Sequence, residues 1–189
     1  MTLFQFAVEQ ISQEVGIAPA FGHGSLRGPG LDGWRAMLVA AGERLGTPKG
    51  KRDLALIRLM HDLGLRRGEV VALDLAHVDL AGLTLAVIGK GRSERTHVTL
   101  NAPAAAALLD WMTARGDWPG PLFIRLDHAA LPPTRLDAGN AARASKSLGL
   151  RAGLSRGTNP HGLRHQGITR ALDLAGGRRE TGKTLQSAR

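Results

Sequence analysis

The sequence contains no cysteine and no tyrosine. The first absence excludes disulfides, thiolate zinc sites and cysteine nucleophiles. The second leaves the chain without a phenolic oxygen. Aromatic residues make up only 4% of the chain, and no stacking platform of the kind that single-stranded RNA requires is visible. No run of about 18 apolar residues occurs, which excludes a membrane-spanning helix. Residues 1–10 lack a basic start followed by an apolar core and a cleavage site, so no secretory signal is expected. A cytoplasmic, nucleoid-associated location is the expectation.

What is present is a globular composition: 189 residues, 43% hydrophobic and 22% charged, the size of one ordinary domain. The formal net charge is +9, and it is unevenly spread. Residues 1–48 carry three arginines against four acids, whereas residues 135–189 hold 11 basic and three acidic groups. A basic surface gathered in one region attracts polyanions, of which nucleic acid is the commonest; a solvated basic face without a partner is the plain alternative.

Three segments are expected. In residues 1–48, Phe4, Val8 and Ile11 stand near helical spacing, a Gly- and Pro-rich loop covers 16–33, and a helix spans about 33–45. These residues are too few to bury a core of their own and read as a remnant of a domain or as lead-in helices. Regular patterning fills 49–177. Leu54, Ile57, Leu59, Met60 and Leu63 form a helical stripe that Gly64 can end. A second helix is expected over about 67–76. Alternation at Leu83, Leu85 and Val87, and again at Val98 and Leu100, predicts a β-hairpin around the polar turn 89–95. Helices follow over 102–115 and 135–152, separated by a Pro-rich connection with a short apolar piece at 122–124. Arg115 reads as a surface charge. A third segment, 178–189, is a basic tail.

Asn159 and Pro160 suit the N-cap and first position of a last helix, expected to stop at Gly176-Gly177. His161, Arg164 and His165 stand three and four residues apart and share a face near its start. An imidazole and a guanidinium beside free amide donors suit a phosphate. A zinc pair at i, i+4 is the competing reading, but position 162 is Gly where a zinc hydrolase carries its Glu base. Polar residues at an ordinary helix start are a third.

Gly64-Leu65-Arg66-Arg67-Gly68-Glu69-Val70-Val71-Ala72-Leu73 resembles the first-arginine motif of the tyrosine recombinase (phage integrase) family. Val87-Ile88-Gly89-Lys90-Gly91-Arg92 resembles its hairpin lysine motif, and Pro160-His161-Gly162-Leu163-Arg164-His165 its His-x-x-Arg motif. The three come in the family's order, on helix, hairpin and helix, over roughly residues 49–177. The resemblance implies a mainly helical α+β catalytic domain with a small antiparallel sheet. It also implies double-stranded DNA as partner, other recombinase protomers, and no metal or nucleotide cofactor. In the implied reaction a tyrosine oxygen bonds to a DNA phosphorus, the bond to the 5′-oxygen breaks, and that oxygen takes up a proton. Arg66 and Arg164 would clamp the non-bridging oxygens, where negative charge builds up, with forked donors. Lys90 would protonate the leaving oxygen, and His161 would handle the nucleophile's proton or donate to the phosphate. Glu69 would orient Arg66, and His165 would support the site. A helical ion pair and a charged hairpin tip are the plain readings of Glu69 and Lys90.

The departure from the family is at the end. The family places a second His or Trp roughly two dozen residues after the motif arginine, and its tyrosine about nine residues later. Here the first of these positions falls near Ser187, and no tyrosine occurs anywhere. Ser93, Thr96 and Ser187 have no evident activating base. The resemblance stops abruptly after Gly177, and one choice of codons for 178–189, read in a neighbouring frame, gives a family-like continuation; a frameshift is the expectation, with an evolved end or an artificial boundary as the alternatives. Residues 177–184 match the phosphate-loop pattern G-x-x-x-x-G-K-T, but no strand precedes them and too little follows for a nucleotide-binding fold. The sequence therefore predicts a DNA-binding protein of the recombination and integration family that cannot cleave DNA alone. The alternative is a non-catalytic DNA-binding or interaction module that modulates an intact recombinase.

Overall fold

The computed structural model describes residues 28–89, 91, 93–126, 134–154 and 158–186, with side chains as far as Asp173. The expected helix around Phe4, Val8 and Ile11 lies outside the described residues, as do Lys90 and Ser187. Six helices and one small sheet are described: α1 (Gly30–Gly42), α2 (Pro48–Asp62), α3 (Arg67–Val71), β1 (Val78–Asp79), β2 (Thr84–Ile88), β3 (Arg95–Thr99), α4 (Ala102–Arg115), α5 (Ala138–Arg151) and α6 (Pro160–Gln186). The fold is α+β and mainly helical, with an antiparallel sheet in the order β1-β2-β3. None of the described helices is long and apolar enough to cross a membrane.

The central element is α2. Thr47 caps it, its hydroxyl accepting from the Gly50 amide at 3.1 Å, and Pro48 occupies the first turn. Leu54 through Met60 are almost wholly buried, because α1, α4, α5 and α6 all pack around it. Even its charges are buried in pairs. Arg52 holds Asp53 at 2.9 Å and the Ile124 carbonyl at 3.1 Å. Arg58 holds Asp62 at 3.2 Å. Gly64, at φ +63°, ends the run in a conformation that favours glycine.

The lead-in helix α1 starts at Gly30, three residues earlier than expected, and ends at Gly42. Its Trp34, Met37 and Leu38 belong to the same core as α2. Trp34 stacks on the His61 ring at 3.8 Å and 11°, with the Arg58 guanidinium 5.6 Å from the Trp34 ring. No gap in packing therefore separates the two sides of Pro48.

The hairpin forms as expected: Leu85 and Val87 point inward, with Leu85 opposite Val98 and Val87 opposite Thr96; Leu83, the first residue of the expected alternation, instead lies before the strand at φ +50° and is exposed. The helix expected over 67–76 is a correction. Only five residues, Arg67–Val71, are helical; a 3₁₀ turn, Leu75–His77, and strand β1 follow. The chain turns out of the helix because Leu73 and Leu75 bond to the 120–122 segment instead, through Leu122 N–H to Leu73 O and Leu75 N–H to Gly120 O, both 2.9 Å. That segment also buries the short apolar piece. Phe123 stacks parallel to Trp111 at 6.4 Å, and the Trp111 indole donates to Leu122 O at 2.9 Å. Arg115 is a further correction. It is buried, and its guanidinium donates to the carbonyls of Pro121 and Gly116.

The last helix does not stop at Gly176-Gly177 but continues to Gln186. A glycine inside a helix costs about 1 kcal/mol without ending it, and no proline follows. Residues 177–184 are thus helical and not a loop after a strand.

His77 ties the 3₁₀ turn together. The Asp74 amide donates to its Nδ1 at 2.9 Å, which requires an unprotonated Nδ1. Burial, and then the Arg95 charge, hold its pKa below the ordinary 6.5. The unfolded chain then binds the proton more readily than the folded one. The stability this group contributes is complete above pH 6.5 and is lost as the pH falls below that value. Melting temperatures measured from pH 7.5 to pH 5 should fall on the acid side, and the fall should be shallower in His77→Gln. Equal slopes in the two proteins would exclude His77 as the group responsible.

Candidate nucleic-acid interface

The sequence-selected groups meet where the start of α6 crosses the end of α2. Asn159 caps α6, its side chain accepting from the Gly162 amide at 2.7 Å. Gly162 is there for space: a Cβ would sit 3.0 Å from the Cα of Gly28, so the glycine that argued against a zinc hydrolase is a close-packing position. One turn on, Arg164 is half-buried and its Nε donates to the Gly64 carbonyl at 2.7 Å. Ile168 packs on the same turn, its Cγ1 3.0 Å from where a Cβ on Gly64 would lie. Gly167 lets α6 press against α2, since its Cβ would fall 1.7 Å from the His61 carbonyl oxygen.

Two residues beyond Gly64 stands Arg66, at the N-cap of α3. Its side chain is 53% exposed, while that of Glu69 is 10% exposed. Glu69 holds both ends of Arg66, accepting from the backbone amide at 2.8 Å and from Nη1 at 2.9 Å. The Gly64 turn links the two arginines: one follows it in the chain, and the other is bonded to it across 100 residues. Among the described residues no hydrogen bond takes up the Nη groups of Arg164 or the Nη2 of Arg66, which leaves donors of both guanidiniums available to an anion.

His161 and His165 are exposed on the first turns of α6. His165 lines a cleft of about 600 Å³ together with Gly28, Leu31, Gln166, Thr169 and Arg170. Lys90, expected to complete the set from the hairpin, is outside the described residues. Sequence reasoning missed a second basic surface. Lys49 and Arg52 on α2, Arg143 on α5, and Arg125 line a cleft of about 420 Å³; Arg52 is buried, and both it and Lys49 are paired with Asp53. Of these four only Arg143 lies in the basic segment 135–189, and no local pattern marked them as neighbours. Among the described residues no group of three or more His, Asp or Glu is arranged to hold a metal ion.

A profile of the phage integrase family matches residues 35–173. The chain belongs to that family. The integrase-family domain is 37% identical over 131 residues to the tyrosine recombinase slr0733 of Synechocystis sp., covering 68% of this chain and 42% of that protein. It is 34% identical over 147 residues to tyrosine recombinase XerC of Yersinia pestis, covering 76% and 46%. It therefore spans less than half the length of these relatives. In fold it is similar to the crystal structure of XerA recombinase, at a TM-score of 0.65 and 24% identity over 82% of this chain and 52% of that one. It is also similar to an integrase from mycobacterium phage Brujita, at a TM-score of 0.56 and 20% identity over 88% and 54%.

Proposed function

We propose that this integrase-family domain binds duplex DNA and grips one backbone phosphate between Arg66 and Arg164, in the manner of a site-specific recombinase, without cleaving the strand by itself. The observation that carries the reading is the 2.7 Å bond from Arg164 Nε to Gly64 O. It ties the two motif arginines to one turn and leaves their outer donors open. His161 and His165 stand at the same helix start and supply further donors to the phosphate. On the resemblance of its motif Lys90 corresponds to the family's proton donor; with no strand cleaved, it adds a positive charge beside the phosphate. The cleft lined by Lys49, Arg125 and Arg143 holds a neighbouring phosphate along the duplex. Strand cleavage needs a tyrosine, and the 189 residues contain none. Such a chain occupies recombination sites without opening them, and it modulates an intact recombinase that competes for, or assembles on, the same DNA.

Fluorescence anisotropy with a labelled duplex tests this. Affinity should fall steeply with salt, the logarithm of the binding constant dropping by about 0.9 per phosphate neutralised. Arg143→Ala should lower that slope by about one. Arg66→Ala and Arg164→Ala should each weaken binding by about tenfold or more, a loss of roughly 1.5–3 kcal/mol for a charged hydrogen bond. Arg35→Ala, at a side chain paired with Asp32 on α1, serves as the control and should change affinity by less than about twofold. A salt-independent affinity, or equal losses in all four variants, would rule the phosphate grip out.

A further inference from the structure

Arg66 sits at the front of a helix only five residues long. A single turn of that length does not persist on its own, because nucleating a helix fixes several dihedral angles for one hydrogen bond. Its two ends need side chains to hold them. Glu69 holds the front end. The back end is held from a distant part of the chain, by Arg135.

Arg135 lies 64 residues beyond Val71. Its Nη1 donates to two carbonyls at the end of α3, Val71 O at 2.8 Å and Leu73 O at 3.0 Å. Its Nη2 donates to the Asp74 carboxylate just beyond. Val71 O is a carbonyl that the end of a helix leaves without a partner, and Leu73 O, two residues on, also accepts from Leu122 N–H. The backbone at Arg135 is itself fixed. It forms an isolated antiparallel bridge with Ile124, the next amide, Leu136 N–H, donates to Phe123 O at 2.8 Å, and Asp137 caps α5 two residues on. The guanidinium is thus a planar fork reaching from a rigid support to three acceptors, a task that a lysine ammonium does not match.

We propose that Arg135 is a positioning residue for the phosphate grip: it fixes the C-terminal end of α3 and so sets where Arg66 stands, without touching DNA itself. The proposal rests on the reading of Arg66 as a phosphate ligand. It assigns Arg135 a role for which none of the three family-like motifs gives a signal, since the residue lies outside all of them. The competing possibility is that Arg135, whose side chain is 39% exposed, is one more phosphate contact.

Two measurements on the full chain separate these. The first is amide hydrogen exchange in Arg135→Gln and Arg135→Lys. Exchange at Val70, Ala72 and Leu73 should accelerate at least about tenfold relative to amides in α4, with both variants still folded by circular dichroism. Unchanged protection there would overturn the proposal whatever happens to DNA binding. The second is a double-mutant cycle on duplex affinity. Arg135→Gln should weaken binding about fivefold when Arg66 is present and less than about twofold in the Arg66→Ala background. Losses that add fully across the two positions would mean that Arg135 meets the DNA directly, and the proposal would fall. If Arg66→Ala alone leaves affinity unchanged, the phosphate grip is wrong, and the exchange result still decides whether Arg135 holds α3.

Discussion

Gly167→Ala is expected to destabilise the domain by about 3 kcal/mol or more, beyond the usual cost of overpacking a core. The added methyl would fall 1.7 Å from the His61 carbonyl oxygen and 2.7 Å from its carbon. Backbone atoms inside a helix cannot swing aside as a side-chain tip can, so α6 must lift off α2. For a domain of this size the loss corresponds to a fall in melting temperature of about 6–12 °C. DNA affinity should fall with it, because Arg164 lies one turn away on α6 and its bond to Gly64 depends on the same close approach. Gly68→Ala is the matched control. It adds the same methyl in α3, where nothing stands within 4 Å, and should be neutral or stabilising by up to about 1 kcal/mol. Thermal melts of the two variants decide the matter; similar melting temperatures would mean that the α2–α6 contact is looser than described.

The second large effect is chemical. On a nicked suicide duplex, which traps a covalent recombinase, the purified chain should give retention that washes out in salt and no adduct that survives denaturant. On the proposed reading Arg66 and Arg164 neutralise a phosphate, and among the described residues no hydroxyl is hydrogen-bonded to a side chain that could act as its base. Serine and threonine hydroxyls are poor nucleophiles without an adjacent base. Neither Ser93 nor Thr96 has a partner in the described hydrogen bonds that would serve as one. In a mixture with an intact recombinase, any covalent band should carry the relative's mass. A denaturant-resistant band from this chain alone would refute the claim that it cannot cleave.

The parts of the fold that could be read in the sequence are those governed by local rules. The helix over 102–115 follows from an Asn cap, an early proline and an alanine-rich run, and it spans those residues. The hairpin follows from alternation, and the start of α6 from Asn159 and Pro160. The end of α3 was not legible, because Val70, Val71, Leu73 and Leu75 keep an apolar spacing that suits a helix equally well. What ends the helix is hydrogen bonding to residues 120–122 and 135, far along the chain. Arg115 was misread for a related reason: its carbonyl partners lie in an irregular loop that leaves no periodic signature. For the candidate site, residue types and order were legible, and the Arg66–Glu69 contact is the i,i+3 ion pair that their spacing allows. The role of Gly64 as the joint between the two arginines was not. Only the crossing of α2 and α6 makes its carbonyl an acceptor for Arg164.

That joint also sets a timetable. The bond between Arg164 and Gly64 closes a stretch of 100 residues, so during synthesis the first arginine emerges long before its anchor can form. Until α6 emerges and docks, the face of α2 that receives Gly167 stays open to water. Pairings of such long sequence separation form late and slowly, and the uncovered surface is prone to association meanwhile. On refolding from denaturant, helical signal should therefore return first, and the capacity to bind DNA only with the slower phase that seats α6.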